Sequence, residues 1–255
     1  MQRFSLAAFL LFSVLSVKAD FTGLTYEVVA TTSVGTTYRV YANFDDATDL
    51  AQALYAEAPF ALSITSAAGF YQDVLGNYTP DAINPLLYPS FPNLIYDSWI
   101  TLGQDDSTFP SNIGAVGGAG WSSGALSFES GGDFNVNDGV GGSVFATPDQ
   151  IQAQPDGDGR VLLAQLTTAG AWNMTCNIQW RDASLEVFQE TGLSIGLEIT
   201  EYQGLSYELV AENTSAPGFD TYRVYANFDD PGAQVVAVYG LQDTALTIST
   251  RSERA

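Results

Sequence analysis

Oxygen-bearing side chains recur at alternate positions in residues 133–139, the segment of the chain best suited to binding a cation. They are Asp133, Asn135, Asn137 and Asp138, and Gly139 follows them. Ca²⁺ binds roughly six to eight oxygens, and alternate positions on a tight loop can supply several of them. The glycine falls one position later than in an EF-hand, and Val144 stands where an EF-hand has its bidentate glutamate. The segment predicts a calcium site formed by these four residues, with a turn-rich hairpin loop as the alternative.

Other acidic residues show weaker patterns. Asp156 and Asp158 alternate with glycines, which is ordinary turn composition as well as a weak calcium pattern. The doubled aspartates at 45–46 recur at 229–230, but Asp49, the third acid of the first copy, is Ala233 in the second. An Asp-Pro-Gly sequence, typical of a turn, also begins at Asp230. The comparison of the two copies therefore favours a turn over a metal site.

Aromatic residues suggest a second kind of binding. Asp97 lies two residues before Trp99, and an acid beside an indole is a pairing that could contact a sugar; Tyr96 and Trp121 are further aromatic candidates. The alternative, which we favour, is a core tryptophan beside a hydrogen-bonded strand aspartate.

The charge balance excludes several kinds of chemistry. The 255 residues include 29 Asp and Glu, only eight Lys and Arg, and no histidine. Without histidine, neither a Ser-His-Asp triad nor a histidine metal ligand can form. An acidic surface repels nucleic acid, which binds basic patches. The chemistry that remains rests on carboxylates, either in binding a hard cation or in glycoside hydrolysis by an acid pair.

Residues 1–19 have the pattern of a secretory signal peptide. Arg3 gives a positive start, an apolar stretch follows, and the small residues Val17 and Ala19 precede the expected cleavage. The stretch is too short to span a membrane, and no later segment is sufficiently long and apolar. We therefore expect a secreted or cell-surface protein that does not span the membrane. After cleavage six arginines would remain against 29 acidic residues, a formal charge of −23, with no lysine.

Period-2 hydrophobic patterns predict an all-β fold. The clearest alternation is in Trp172, Met174, Cys176, Ile178 and Trp180, which indicates a half-buried strand with the lone cysteine in the core. Gly, Pro, Asn and Asp clusters separate the predicted strands at the spacing of an antiparallel β-sandwich or jelly roll. These strands are residues 23–31, 36–44, 60–66, 95–102, 125–129, 143–147, 160–168, 171–181, 185–189 and 193–200.

Four segments have other patterns. A Thr-Pro pair predicts a helical turn at 147–149, and residues 46–57 are ambiguous between helix and strand. The glycine-rich residues 114–124 lack the lysine of a phosphate loop and are predicted to form a loop. The proline-rich residues 76–93 are expected to fold back across the surface of the sandwich.

The string TYRVYANFDD occurs at 37–46 and again at 221–230. The surrounding residues also recur, from Gly23 in the first copy and Gly204 in the second, with a period of about 184 residues. That period is the size of a domain, and much longer than the units of a solenoid. We therefore predict a complete module over residues 20–200 and the first strands of a second copy over residues 201–255.

Several blocks of the chain resemble a known kind of module. They are GLTYEVVA, TTYRVYANFDD, FYQD, INPLLYPSFPNLIYDSWITLG and DGRVLLAQLTTAG. They are similar to a module of secreted, often multi-module proteins of aquatic microbes. The resemblance implies export and surface association, and it carries no catalytic residue.

These observations predict a non-enzymatic extracellular module that acts in adhesion or assembly, with matrix, surface protein or glycan as partners. A calcium- or carbohydrate-binding module is the alternative. A glycoside hydrolase with a carboxylate pair is a more remote one, because no two of the 29 acids stand out.

Overall fold

A computed structural model describes residues 21–109, 113–197, 203–212, 219–228, 238 and 246–249. The chain divides into two compact units, Met1–Glu198 and Ile199–Ala255. The division lies two residues before the boundary expected from the sequence. The predicted signal peptide, residues 1–19, is outside the described part of the chain.

The described residues form thirteen β-strands and one α-helix. In chain order these are β1 (Phe21–Thr32), β2 (Gly35–Phe44), β3 (Leu50–Ala56), β4 (Leu62–Ser66), β5 (Trp99–Ile100), β6 (Gly114–Gly117), α1 (Ala119–Glu129), β7 (Phe134–Val136), β8 (Gly142–Phe145), β9 (Arg160–Thr168), β10 (Trp172–Arg181), β11 (Val187–Leu197), β12 (Gly204–Ala211) and β13 (Thr221–Asn227).

The first unit is an antiparallel β-sandwich, which confirms the predicted fold class. One sheet has the strand order β1-β2-β9-β5. The other has seven strands in the order β6-β8-β3-β10-β4-β7, with β11 paired to β10. β3 and β4 both pair with β10, β4 along Trp172–Thr175 and β3 along Asn177–Arg181.

The core lies between the two sheets and follows from the alternation of their strands. In β2, Tyr38, Val40 and Phe44 point inward and are buried. The Tyr38 ring lies 5.4 Å from the Trp172 ring of β10, and the Phe44 ring lies 6.0 Å from that of Trp180. Aromatic side chains bury large apolar areas, so these contacts join the two sheets firmly.

The outer face of the four-stranded sheet carries a second, smaller core. Its buried residues are Tyr41, Ile83, Leu94, Trp99 and Leu162. Three short 3₁₀ helices of the proline-rich segment supply part of it, at Pro80–Ala82, Pro85–Leu87 and Pro92–Tyr96. The predicted folding of this segment across the sandwich is confirmed, and it explains why β9 is buried on both faces.

The predicted strand at 125–129 and the predicted loop at 114–124 are wrong. Residues 114–117 form β6, and α1 occupies Ala119–Glu129. The buried side of the helix is formed by Trp121, Gly124, Ala125 and Phe128, which have helical spacing. Two glycines and three serines hide this pattern, because they have low helix propensity. No helix in the described part of the chain combines the length and apolar character needed to cross a bilayer.

The other differences between the predicted and the observed elements concern their lengths and ends. The ambiguous residues 46–57 contain strand β3, and the two strands predicted at 185–200 are one strand, β11, over its described length. The strand predicted at 95–102 is reduced to Trp99–Ile100, because the last 3₁₀ helix of the proline-rich segment extends to Tyr96. The helical turn predicted at 147–149 begins slightly later, at Ile151–Ala153.

The second unit contains a hairpin that repeats the first hairpin. In the first, Gly23 pairs with Asn43 and Glu27 with Arg39; in the second, Gly204 pairs with Asn227 and Glu208 with Arg223. The same register shift follows, after Val28 in β1 and after Leu209 in β12. The repeated sequence therefore specifies one hairpin geometry twice.

Side-chain contacts recur with the register. The Asn43 amide donates to the carbonyl of Gly23 at 2.9 Å, and the Asn227 amide donates to that of Gly204 at 3.2 Å. The rings of Tyr26 and Tyr38 meet edge to face at 5.9 Å, as do those of Tyr207 and Tyr222.

Candidate functional site

The residues predicted to bind calcium lie on and beside strand β7. Asn135 is the exposed middle residue of that strand, between the buried Phe134 and Val136. Asp133 lies just before the strand, and one of its carboxylate oxygens accepts a hydrogen bond from the Ser66 amide at 3.1 Å. Because a strand is extended, alternate side chains on one face are about 6–7 Å apart. Asp133 and Asn135 are therefore spread along the strand direction instead of being brought together as they would be on a tight loop.

Asn137 and Asp138 follow β7. Asp138 accepts hydrogen bonds from the amides of Val140 at 2.9 Å and Gly141 at 2.7 Å, an arrangement that closes a turn. Its other oxygen lies against Gly120 in the first turn of α1. A carboxylate there is stabilised by the helix dipole. Asp138 thus has a structural role, and calcium binding by the set stays a prediction.

The weaker acidic candidates also form turns. One carboxylate oxygen of Asp156 accepts from the amides of Asp158 and Arg160, both at 2.9 Å. Asp46 accepts from the amide of Thr48 at 2.8 Å and from its hydroxyl at 2.7 Å, as the turn interpretation predicts. Within the described ranges, no three His, Cys, Asp or Glu side chains are grouped so that they could hold a metal ion.

Asp97 and Trp99 are both buried, as the favoured interpretation of a core tryptophan beside a hydrogen-bonded aspartate predicts, and a sugar cannot reach the pair. Trp121 is also buried, in α1. The Asp97 carboxylate accepts from the amides of Asp73 at 2.7 Å and Asn77 at 3.2 Å, and so holds the start of the proline-rich segment. Burial raises the pKa of Asp97 to about 7, against the opposing effect of these two donors.

A cleft of about 320 Å³ opens on the outer face of the four-stranded sheet. Its floor is formed by Arg39 and Tyr41 of β2 and Leu162 of β9. One wall is the segment that follows β5, and the other is the segment that leads into β9. The floor side chains point outward because they alternate with the core residues of the same strands.

The first wall contributes Asp105 and Phe109, and the second contributes Gln152, Gln154 and Asp156. Arg160 lies at the end of the cleft beside Asp156. The two walls touch where Gly103 meets the carbonyl of Gln152. A Cβ at Gly103 would lie 1.7 Å from that oxygen, and φ is +80° there, so the contact requires glycine.

Arg39 is fixed by contacts on several sides. Its Nε donates to Gln165 at 3.1 Å, and its terminal nitrogen lies 3.5 Å from Asp105. The guanidinium also lies over the ring of Trp99, 5.9 Å from its centre. Gln165 in turn donates to the carbonyl of Asp97 at 2.8 Å. The floor of the cleft is thereby connected to the buried Asp97 segment.

Arg160 covers Tyr41. Its guanidinium lies 4.3 Å from the ring centre, and it pairs with Glu27 at 3.4 Å, Asp158 at 3.3 Å and Asp156 at 3.6 Å. The Tyr41 hydroxyl donates to Glu27 at 2.5 Å. Burial, and then the contact with Glu27, raise the pKa of Tyr41 to about 12.

A second, smaller cleft of about 140 Å³ adjoins the first. Arg39 and Asp105 line both, and Tyr88, Ile95 and Asp106 line only the smaller one. The Arg39–Asp105 pair therefore forms the ridge between two depressions on one surface.

The arrangement is suited to binding. Asp105 and Asp156, the carboxylates that line the larger cleft, each pair with an arginine. Ion-paired carboxylates have fixed positions and keep free lone pairs for further hydrogen bonds. The aromatic and amide groups around them add an apolar surface and both donors and acceptors.

Sequence reasoning found part of this site. An outward Arg39 beside Tyr41, able to stack or pair with an acid, is predicted by the alternation of TYRVYANFDD. The walls were missed because they lie 60 or more residues away from β2 in the chain. The glycine at 103, between Leu102 and Gln104, is the only local sign that two segments approach closely there.

Searches of protein-family models, curated proteins and solved structures found no match to this chain. Function is therefore argued from the geometry of its own residues.

Proposed function

We propose that the chain is a secreted, non-enzymatic β-sandwich module of an extracellular or cell-surface protein, and that it acts in assembly. The observation that carries the proposal is the second hairpin, which exposes the residues that the first hairpin buries. Export rests on the signal-peptide pattern of residues 1–19 and on the resemblance to modules of secreted proteins.

The exposed fractions make the contrast plain. Tyr38 is 6% exposed, whereas its counterpart Tyr222 is 52% exposed. Val40 is fully buried, whereas Val224 is 67% exposed. These side chains lie on the face that, in the first unit, packs against Trp172 and Trp180. An apolar strand face of this kind favours association with a partner.

The first unit indicates the chemistry of that partner. There β2 pairs with β1 along one edge and with β9 along the other, where Tyr38 lies opposite Leu166 and Val40 opposite Ala164. Because β13 has the sequence and register of β2, its edge fits an antiparallel strand of the β9 type. We commit to that occupant: a β9-type strand donated by another copy of the module, which adds to the hairpin by main-chain hydrogen bonds.

The test adds a peptide with the sequence of residues 158–170 to the full chain. The β2 edge is already filled by the chain's own β9, whereas among the described residues β13 pairs with β12 on one side alone, so its other edge is the acceptor under test. We expect saturable one-to-one binding by calorimetry, and none for a peptide of scrambled order. Absence of binding at the highest soluble peptide concentration would overturn the proposal.

Two variants locate the binding. Val224→Asp places a charge on the face to be covered and should abolish peptide binding. Val210→Asp is the matched control, because its counterpart Val29 stays 49% exposed in the first unit. It should bind normally. If the chain instead forms a dimer that Val224→Asp dissociates, and the peptide does not bind, the occupant is a second hairpin and the proposed strand donor is wrong.

Calcium binding through Asp133, Asn135, Asn137 and Asp138 remains a separate prediction. Calorimetry with millimolar Ca²⁺ tests it, and the absence of heat would remove it. A glycosidase is not proposed, since the carboxylates that line the cleft are paired with arginines.

A further inference from the structure

We propose that the cleft between Arg39 and Arg160 binds a neutral sugar residue of an extracellular polysaccharide. This goes beyond the assembly function, because it concerns the outer face of the first unit and not the second hairpin. The ligand class follows from the size, the charge and the hydrogen-bonding groups of the cleft.

The size suits a small polar ligand. Ligand sites commonly have volumes of about 300–1,000 Å³, and the cleft, at about 320 Å³, is at the lower end. The smaller depression beyond the Arg39–Asp105 pair extends the surface by about 140 Å³. A chain of two or three sugar rings could cross this ridge, whereas a compact ion would fill neither depression.

The charge around the cleft disfavours an anion, and the described residues include no group of acidic side chains placed to hold a metal ion. Arg39 and Arg160 are the positive groups of the cleft. Asp105 and Asp156 balance them, and Glu27 and Asp158 add negative charge around Arg160. The net negative charge of the whole chain, −21, further opposes an anion such as a uronate or a sulfated sugar. A neutral ligand remains.

The hydrogen-bonding groups match a polyol. Each sugar hydroxyl donates and accepts, and the exposed Gln154 side chain offers both functions on one wall. Asp105 on the opposite wall accepts, and Arg39 between them donates. Arg39 and Asp105 are held by their pairing, and the backbone of the glutamine wall is held by the contact at Gly103, which lowers the entropy lost on binding.

Phe109 supplies the apolar surface. It is partly exposed on the first wall, while the faces of Tyr41 and Trp99 are buried. Sugar rings have an apolar face of C–H groups that packs against an aromatic ring, while their hydroxyls contact polar groups at the edge. One partly exposed ring beside an amide and ion-paired carboxylates provides this combination.

The second hairpin is an internal comparison. Arg223 and Tyr225 correspond to Arg39 and Tyr41, and Tyr225 donates to Glu208 as Tyr41 does to Glu27. Arg223, however, pairs with Glu208 at 3.6 Å and not with a wall residue. The arginine and the tyrosine thus recur in the second hairpin, but the described residues around them include no counterpart of either cleft wall. We therefore expect no sugar site there.

The test measures binding of soluble oligosaccharides to the full chain by saturation-transfer NMR and calorimetry. The neutral arm contains oligomers of glucose, mannose, galactose and xylose, and the anionic arm contains oligouronates. Free monosaccharides form a third arm. We expect at least one neutral oligomer to bind with a dissociation constant in the micromolar to millimolar range, more tightly than its monosaccharide, and the oligouronates to bind at least tenfold more weakly.

Two variants test whether the ligand binds in the cleft. Gln154→Ala and Phe109→Ala should each weaken binding at least fivefold while the thermal transition of the chain stays unchanged. Gln189→Ala, an exposed glutamine on β11 of the other sheet, is the matched control and should not alter affinity. The proposal is overturned if no neutral oligomer binds, if oligouronates bind best, or if the cleft variants bind as the control does.

Discussion

The hydroxyl of Tyr41 donates to Glu27 at 2.5 Å, and in the repeated hairpin the hydroxyl of Tyr225 donates to Glu208 at the same distance. The bonds are the same, but their surroundings differ. Tyr41 is 6% exposed beneath Arg160, whereas Tyr225 is 41% exposed. The pair is therefore a direct comparison of one hydrogen bond in two environments.

Replacing these tyrosines by phenylalanine should have unequal effects. A hydrogen bond contributes about 0.5–1.5 kcal/mol net, and the exposed Glu27 can be solvated once the donor is lost, so Tyr41→Phe should lower the free energy of unfolding of the first unit by about 1 kcal/mol. Tyr225→Phe, in the second unit, should lower the free energy of unfolding of that unit by less than about 0.5 kcal/mol. Urea unfolding of both variants measures these losses. Equal losses of unfolding free energy would contradict the role assigned to burial.

Alkaline pH should destabilise the first unit. Burial is the main cause that raises the pKa of Tyr41, Tyr71 and Tyr88 to about 12, from a usual value near 10. Between these values the unfolded chain loses the tyrosine protons and the folded chain keeps them. The stabilisation is therefore fully present below about pH 10 and is lost as pH rises toward 12.

Tyrosinate absorbance measured against pH should show a late group of tyrosines, which ionise well above pH 10. The absorbance change of this late group should fall by the equivalent of one tyrosine in Tyr88→Phe. After burial, the negative charges of Asp106 and Asp105 are the next causes that raise the pKa of Tyr88. If the folded chain has completed its tyrosine titration near pH 10, the assigned burial is wrong.

Asp97 should make stability fall as pH rises from about 4 to 7. Its pKa is raised to about 7, chiefly by burial. Over this range the unfolded chain ionises the carboxyl while the folded chain keeps it protonated, so the contribution present at low pH is lost toward neutrality.

Asp97→Asn removes this titration but leaves one of the two amide donors, from Asp73 and Asn77, without its acceptor oxygen. The variant should be less stable than the wild type near pH 4, and the difference should shrink or reverse near pH 7. Calorimetry across this range measures it. A difference that grows with pH would mean that Asp97 is ionised in the fold and stabilised by its two donors.

The sequence predicts the strands of the sandwich core but not helix α1. β2, β9 and β10 were found because Val40, Leu163 and Trp172 belong to apolar patterns that depend only on the burial of local strand faces. Helix α1 was missed because its buried positions include Gly124, whose smallness allows α1 to lie against β7 and hides the helical pattern.

The candidate site depends on contacts that no local pattern contains. Arg39 meets Asp105 across 66 residues of chain, and Gly103 meets Gln152 across 49 residues. The calcium prediction shows the opposite difficulty. Alternate oxygens at 133–137 also fit the exposed side of a strand, and pairing of β7 with β4 decides between the two structures.

The lone cysteine should be unreactive in the folded chain. Burial raises the pKa of Cys176 to about 12, so the nucleophilic thiolate is scarce at neutral pH. A thiol reagent should modify no cysteine in the native protein and one per chain in denaturant. Rapid modification under native conditions would show that β10 opens at this point.

Gly103→Ala should be the most destabilising of the glycine substitutions around the cleft. The new Cβ would lie 1.7 Å from the carbonyl oxygen of Gln152, a backbone atom that cannot move aside alone, and the φ of +80° is unfavourable for alanine. Backbone strain and the steric clash together should cost about 2–4 kcal/mol of unfolding free energy. Because the walls must separate, sugar binding should weaken as well.

Gly157→Ala, in the opposite wall, is the matched control. A Cβ at Gly157 meets nothing within 4 Å, and its φ lies outside the left-handed region. Its effect should stay within about 0.5 kcal/mol. Urea unfolding of the two variants measures the difference. Equal stability would show that the walls are not held together at Gly103, and would remove the fixed geometry on which the cleft depends.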